Sequence, residues 1–222
     1  MPDRSVNREH APATSIVLVR DLRKTAGLVA AWEELAAHAL EPNVFYEHWM
    51  LLPALRAWGA AAGVRVALVW HARDPGAPAT LAGLMPLSFV THGGRLKLSA
   101  ARLWQQPHCE SSTPLVRGDC AVECVGALLE WLRQLPWAHV LEVPSLGEDG
   151  PVHELLLECC QGLRLRTWCG SRVNHRKARH GLTVAVSHRG EFALAAQRLA
   201  RWTSRRLLHR PPPSRIRTDA RA

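Results

Sequence analysis

The chain has 222 residues, is 47% apolar and carries a formal charge of +9, which is length enough for one good core or for one domain with a small appendage. It holds no run of about 18 apolar residues, so a helical membrane span is excluded. Its first residues, MPDRSVNREHAPATS, mix both charge signs and lack the apolar stretch of a secretory signal, so a cytoplasmic protein is expected.

The charge is unevenly placed. Residues 1–168 hold 15 Lys/Arg and 17 Asp/Glu, a net of −2, whereas residues 169–222 hold 13 and 2, a net of +11. Three segments follow: a flexible N-terminus over 1–13, a body over 14–168 and an Arg-rich tail over 169–222. The six cysteines (109, 120, 124, 159, 160 and 169) form no CxxC pair and read as reduced thiols.

In chain order, Ser15–Val19 is β-branched and apolar and predicts a first strand. Over 26–40, Leu28, Val29, Trp32, Leu35, Ala36 and Ala39 recur at spacings of three and four and predict a helix. Glu41-Pro42-Asn43 breaks it. A second helix is expected over 45–61 with Phe45, Trp49, Leu52, Leu55 and Trp58 inward, kinked or split at Pro53. Val64–Trp70 and Thr80–Val90 predict strands, the latter with Gly83 and Pro86 hinting at a bulge or an edge, and Arg95–Ser99 predicts a third. Residues 103–118 read as an irregular polar loop. A helix over 119–134 places Val122, Val125, Leu128, Leu129 and Leu132 on one face, with Asp119 as N-cap and Pro136 after it. His139–Val143 (strand), 150–161 (helix) and Leu163–Trp168 (strand) complete the body. The order β-α-α-β-β-β-loop-α-β-α-β predicts an α+β or mixed α/β layer architecture.

Several segments then matter together: Trp32-Glu33-Glu34-Leu35-Ala36, Pro42-Asn43-Val44-Phe45-Tyr46-Glu47, Leu51-Leu52-Pro53-Ala54-Leu55, Leu81-Ala82-Gly83-Leu84-Met85-Pro86-Leu87, Leu103-Trp104-Gln105-Gln106-Pro107-His108-Cys109 and Thr113-Pro114-Leu115-Val116. In this order they resemble the N-terminal half of the CelD/BcsL-like acyltransferases associated with cellulose biosynthesis, within the GNAT superfamily. The resemblance covers about residues 14–168. It implies a GNAT-like, mostly antiparallel mixed sheet flanked by helices, an acetyl-CoA or other acyl-CoA donor, no metal, and an amine or hydroxyl acceptor, small-molecule or glycan-related. It also implies a second acyltransferase lobe as partner. Such chemistry needs a splayed strand to bind the thioester carbonyl, a helix N-terminus for the pyrophosphate, and a base or water for the acceptor's proton. Arg117-Gly118-Asp119 is the nearest candidate for the pyrophosphate turn, and its acidic residue disfavours phosphate.

His108-Cys109, with Glu110, Ser111, Ser112 and Thr113 beside them, is the richest reactive set in the body. His108 is the candidate proton acceptor. Phe45, Tyr46, Cys109 and Thr113 are the candidate substrate-binding residues, Phe45 and Tyr46 by stacking; the alternative for each is packing. Cys120 with Cys124, and His175 with His180, lack the paired spacings of zinc sites. No GxSxG, HExxH, GxxxxGK[ST] or GxGxxG occurs.

Arginine dominates the tail, at 12 of its 54 residues, and Pro211 to Ala222 read as disordered. Residues 191–208 can form a helix with Phe192, Ala195, Leu199 and Trp202 on one face. Three readings stay open: an arm that binds nucleic acid through phosphates, a cationic helix on an anionic membrane surface, or a truncated or out-of-frame segment of a GC-rich gene. The last predicts that another frame after codon 168 encodes a second lobe; reading both remaining frames checks it, and absence from both rejects it.

Overall fold

The computed structural model describes residues 13–20, 27–93, 97–147, 149–174, 177–187 and 197. The first twelve residues, the candidate helix over 191–208 apart from residue 197, His175 and the Pro-rich end lie outside the described residues, and so does the nucleic-acid or membrane reading that rests on them. Among the described residues no helix is long and apolar enough to cross a membrane.

Eight strands build one sheet: β1 (Ala13–Val19), β2 (Arg65–Ala72), β3 (Thr80–His92), β4 (Leu98–Leu103), β5 (Leu115–Val116), β6 (Val140–Gly147), β7 (Arg166–Asn174) and β8 (Lys177–Ala185). They lie in the order β1-β2-β3-β4-β6-β8-β7, with β5 on β3. Each neighbouring pair is antiparallel except β4 and β6, which are parallel. Among the described residues the named α-helices are α1 (Val29–Ala37), α2 (His48–Ala54), α3 (Ala121–Gln134) and α4 (Pro151–Gly162). The expected mixed, mostly antiparallel α/β architecture is the observed one.

Strand alternation sorts the core into two faces. Ala67, Val69, Ala101, Leu103, Leu141, Val143, Leu182 and Val184 point to the side covered by α3 and α4. Val66, Leu68, Leu84 and Trp104 point to the other, where Trp32 and Leu35 of α1 and Leu51 of α2 pack.

Two helical phases differ from expectation. Trp49 and Trp58 are exposed, at 52% and 41%, while Tyr46, Leu51, Ala54 and Leu55 are buried. The segment is not one helix. A 3-10 turn over Val44–Tyr46 precedes α2, and a wide π turn over Leu55–Gly59 follows Pro53, so a single 3.6-residue phase cannot describe it. On α3, Val122 is exposed and Cys124 takes the inward position. Asp119 does not cap that helix. It sits one residue earlier, in a 3-10 turn over Gly118–Cys120.

Pro86 lies inside a central strand. Its carbonyl accepts Trp104 N–H, and Trp104 O, which a residue 86 N–H would otherwise reach, accepts Tyr46 Oη instead. The division expected at residue 168 falls inside β7, and the sheet continues to Ala185. β8 is inserted between β6 and β7, and Leu182 and Val184 belong to the main core. The sequence reading missed this strand because Arg, His and Gly interrupt its apolar pattern.

Gly83 sets the distance between α3 and the sheet. A Cβ there would lie 2.5 Å from Cys124 Sγ, 3.2 Å from Met85 Cε and 3.3 Å from Val69 Cγ2. Gly83→Ala is expected to destabilise the fold by about 1–3 kcal/mol through overpacking, and Cys124→Ala in the same chain to recover most of that. Urea unfolding of the two variants measures it.

Candidate functional site

β4 and β6 pair only at Ala100–Val140, Ala101–Leu141 and Arg102–Glu142. Beyond that register they part. Trp104 N–H turns to Pro86 O on β3, and β6 runs on to Gly147 against β8 across a bulge between Val143 and Leu146. The result is a fork at the C-terminal ends of the one parallel pair.

The chain's own loop spans the fork. Ser112 N–H donates to Ser145 O at 2.8 Å, Ser145 N–H donates to Ser112 Oγ at 2.8 Å, and Ser145 Oγ donates to Glu110 O at 2.8 Å. Asn43 holds the loop from the side of α1 and α2: its Nδ2 donates to Thr113 O at 2.6 Å while its Oδ1 accepts Phe45 N–H at 3.1 Å. A short polar turn and a β-bulge are thus joined by side chains that mimic backbone pairing.

At the vertex, on the face away from α3 and α4, stands a charge cluster. Arg102 Nε donates to Glu142 Oε2 at 2.6 Å, and His92 Nε2 lies 2.9 Å from Glu142 Oε1. The His92 approach is close but poorly aligned, leaving both atoms buried without a true hydrogen bond, so we read it as an electrostatic contact. Burial alone would push the Glu142 carboxyl up. His92 and Arg102 outweigh it and hold the carboxyl below its ordinary value of 4.5. Glu142 is therefore an anion at neutral pH and a poor proton acceptor there. The sequence reading did not select Glu142, Arg102 or His92. The available signal was a carboxylate within the apolar run Val140-Leu141-Glu142-Val143, on a strand with no solvated face.

The sequence-selected residues gather around the loop. His108 is exposed, its ring centroid 6.1 Å from that of Trp58, and its N–H donates to Gln106 Oε1 at 2.7 Å. Cys109 is half-buried and its thiol donates to Ser111 O. Thr113 is buried, with its hydroxyl 2.9 Å from Ser111 Oγ and 3.5 Å from Glu41 Oε1. Tyr46 is buried too. Its hydroxyl donates to Trp104 O at 2.8 Å, and burial first, then Cys109, pushes its pKa well up. Its ring tethers the end of β4 and presents no stacking face. Phe45 is half-buried beside it.

Cys120 and Cys124 are buried thiols raised by burial, Cys120 to about 11. Among the described residues no three His, Cys, Asp or Glu side chains converge as a metal site requires.

No protein-family model matches this sequence, and no curated protein matches it. Solved structures do overlap with it. The NatC complex bound to Gag peptide and CoA shares 11% identity at a TM-score of 0.44, over 79% of this chain and 98% of that one. Spermidine N-acetyltransferase from Vibrio cholerae, in complex with CoA and spermine, shares 12% at 0.42, over 77% and 94%. At TM-scores below 0.5 these overlaps carry no argument about what this chain does.

The N-terminal ends of α3 and α4 each have one of the chain's own carboxylates beside them. At α3, Asp119 is paired with Arg73 and, at 3.1 Å, with Arg117, which also reaches Glu34. At α4, Glu41 Oε2 accepts Val152 N–H at 3.3 Å, and Gly150 leaves room for that carboxylate, since a Cβ there would lie 2.6 Å from Oε2. A second anion at α4 would meet the like charge of Glu41, and at α3 it would compete with Asp119 for the same two arginines.

Removing Arg102 leaves Glu142 without its cation. Arg102→Met is expected to cost about 2 kcal/mol, less than the roughly 3–5 kcal/mol for a fully buried pair, because Arg102 keeps 37% of its side chain exposed. The depressed carboxyl makes a contribution present above pH 4.5 and lost as pH falls through its folded value. The variant's loss is therefore largest at neutral pH and shrinks towards pH 3, which urea titrations at several pH values read directly.

Proposed function

We propose that this chain is an acyltransferase of the GNAT type, moving an acyl group from a CoA-type thioester to an amine or hydroxyl acceptor at the β4/β6 fork. The observation that carries this reading is the fork itself: one parallel pair in an otherwise antiparallel sheet, parting at Arg102 and Glu142. Such a parting takes strand-end groups out of the ladder, and the Ser145 N–H, now held by Ser112 Oγ, is the group that would polarise a thioester carbonyl once that hydroxyl gives way. The residue resemblance to the N-terminal half of the CelD/BcsL-like acyltransferases supports the same class and suggests a small-molecule or glycan-related acceptor.

The residues have distinct tasks in this reading. His108, exposed next to Trp58, takes the acceptor's proton, and Cys109 borders the acceptor. Phe45 supplies apolar wall. Thr113, Asn43 and Tyr46 hold the loop in place. Glu142, kept anionic by Arg102, fixes the field at the vertex and takes no proton at neutral pH. Acyl-CoA, when bound, supplies the activated carbonyl; the pyrophosphate finds no free helix end at α3 or α4.

That last point favours a second reading, a non-catalytic lobe that pairs with a separate donor-binding half. Calorimetric titration of the full chain with acetyl-CoA separates the two. The enzyme reading expects saturable one-to-one binding with Kd in the range of roughly 1 μM to 1 mM typical of enzyme substrates. A folded chain that shows no binding rejects catalysis by this chain and leaves the partner-lobe reading. If binding is seen, His108→Ala is expected to lower kcat by about 10²–10⁴-fold while leaving acetyl-CoA affinity within about threefold.

A further inference from the structure

One buried stretch of the sheet draws its apolar side chains from strands alone among the described residues. Leu98, Ala100, Val140 and Ala185 form it, with Val90 and Trp168 at its margin. Their chain neighbours Ala101, Leu141 and Val184 face α3 and α4, so this cluster lies on the opposite face. α1 and α2 occupy that face too, but they pack over Val66, Leu68, Leu81 and Leu84 of β2 and β3. The cluster lies farther along, on β4, β6 and β8, where Ala100 pairs with Val140 and Val140 with Ala185.

These side chains have the exposure of an interior. Val140 is 0% exposed, Ala100 1%, Leu98 2% and Ala185 4%, and Glu142 and Thr183, two residues along the same face, are 5% and 8%. An antiparallel face open to solvent keeps its outward side chains wet, so a further layer covers this one. Residues 1–12 enter the sheet at β1, its far edge, and offer Met1 and Val6 as their sizeable apolar side chains. The segment after β8 is better placed. Ala185 ends β8 inside the cluster, and Val186 and Ser187 donate their N–H groups to His139 O, next to Val140. Phe192 follows Ser187 by five residues, a reach of up to about 17 Å, against about 14 Å for the three strand spacings from β8 to β3. Phe192, Ala195, Leu199 and Trp202 recur at helical spacing, with Arg198 and Arg201 between them. Gln197, the one described residue of this segment, is helical and half-buried.

We propose that the chain's own segment 191–208 is the layer that covers this face, packed as a helix with Phe192, Leu199 and Trp202 on Leu98, Val140 and Ala185 and with its arginines outward. The fold then continues beyond β8, through the most basic part of the sequence. Its arginines are displayed from a packed helix and not from a free arm. A stretch read out of frame would carry no such complement to the sheet.

Melting temperatures of the full chain test this. Phe192→Ala, Leu199→Ala and Trp202→Ala are each expected to lower the melting temperature by roughly 5–15 °C, as loss of a buried side chain does, and Arg201→Gln by less than about 2 °C. Val140→Ala is then combined with each of the three. A double loss smaller than the sum of the single losses, for at least one pair, places the segment on this face. Three additive pairs, or three tail variants that melt with the wild type, overturn the proposal. Trp202→Leu serves if Trp202→Ala does not fold. Sedimentation velocity decides whose segment it is: a monomer supports the chain's own, and a dimer that the same tail variants convert to monomer overturns that assignment in favour of a second copy.

Discussion

Two parallel strands cannot be joined by a tight turn, so the β4–β6 pairing obliges the chain to leave the sheet and cross over it before returning. That obligation organises the molecule. The crossover carries the polar loop, β5 and α3, and it sets α3 down over β1, β2 and β3 at a distance fixed by Gly83. It also gathers the start of the crossover and the C-terminal end of β6 on one edge, where the strands are free to part. The other described strand pairs are all antiparallel.

The vertex of that opening is held by charge. Glu142 lies on a strand whose two faces are both covered, a position where a carboxylate survives only if paired. Arg102 comes from the one strand in parallel register with it, and His92 from β3, so the pair exists only once three strands are in place. Just beyond, serine and asparagine side chains bridge what backbone pairing no longer spans. Polar groups cluster at the fork because the ladder ends there.

The opposite lesson comes from the helix ends. Asp119 and Glu41 sit where an anion-binding helix would need vacancy, and each is itself stabilised there, by arginines in one case and by a backbone N–H in the other. Ser112 likewise lies in the fork rather than beside it.

Much of the architecture was legible from periodicity alone. The stripe Trp32–Leu35, the alternation in Val64–Trp70 and the run Val125-Leu128-Leu129-Leu132 report which side is apolar, and burial follows from that wherever the backbone keeps one period. Composition likewise located the polar loop at 103–118 and drew attention to His108, Cys109 and Thr113. Legibility failed where the period changes or where partners are distant. Pro53 and the π turn reset the phase that would have buried Trp49 and Trp58. β8 was hidden because Leu182 and Val184 are apolar at alternate positions only within a segment broken by charged residues. The pairing of Glu142 with Arg102 spans 40 residues, and the orphaned amide of Gln105 depends on what every neighbour does not reach. Local pattern is decided by side chains a few residues apart, so the sequence by itself determined those elements and apolar faces that keep one period throughout. Which strands run parallel, where they part and which polar atoms are left without partners are properties of long-range packing, and only the tertiary structure decided them.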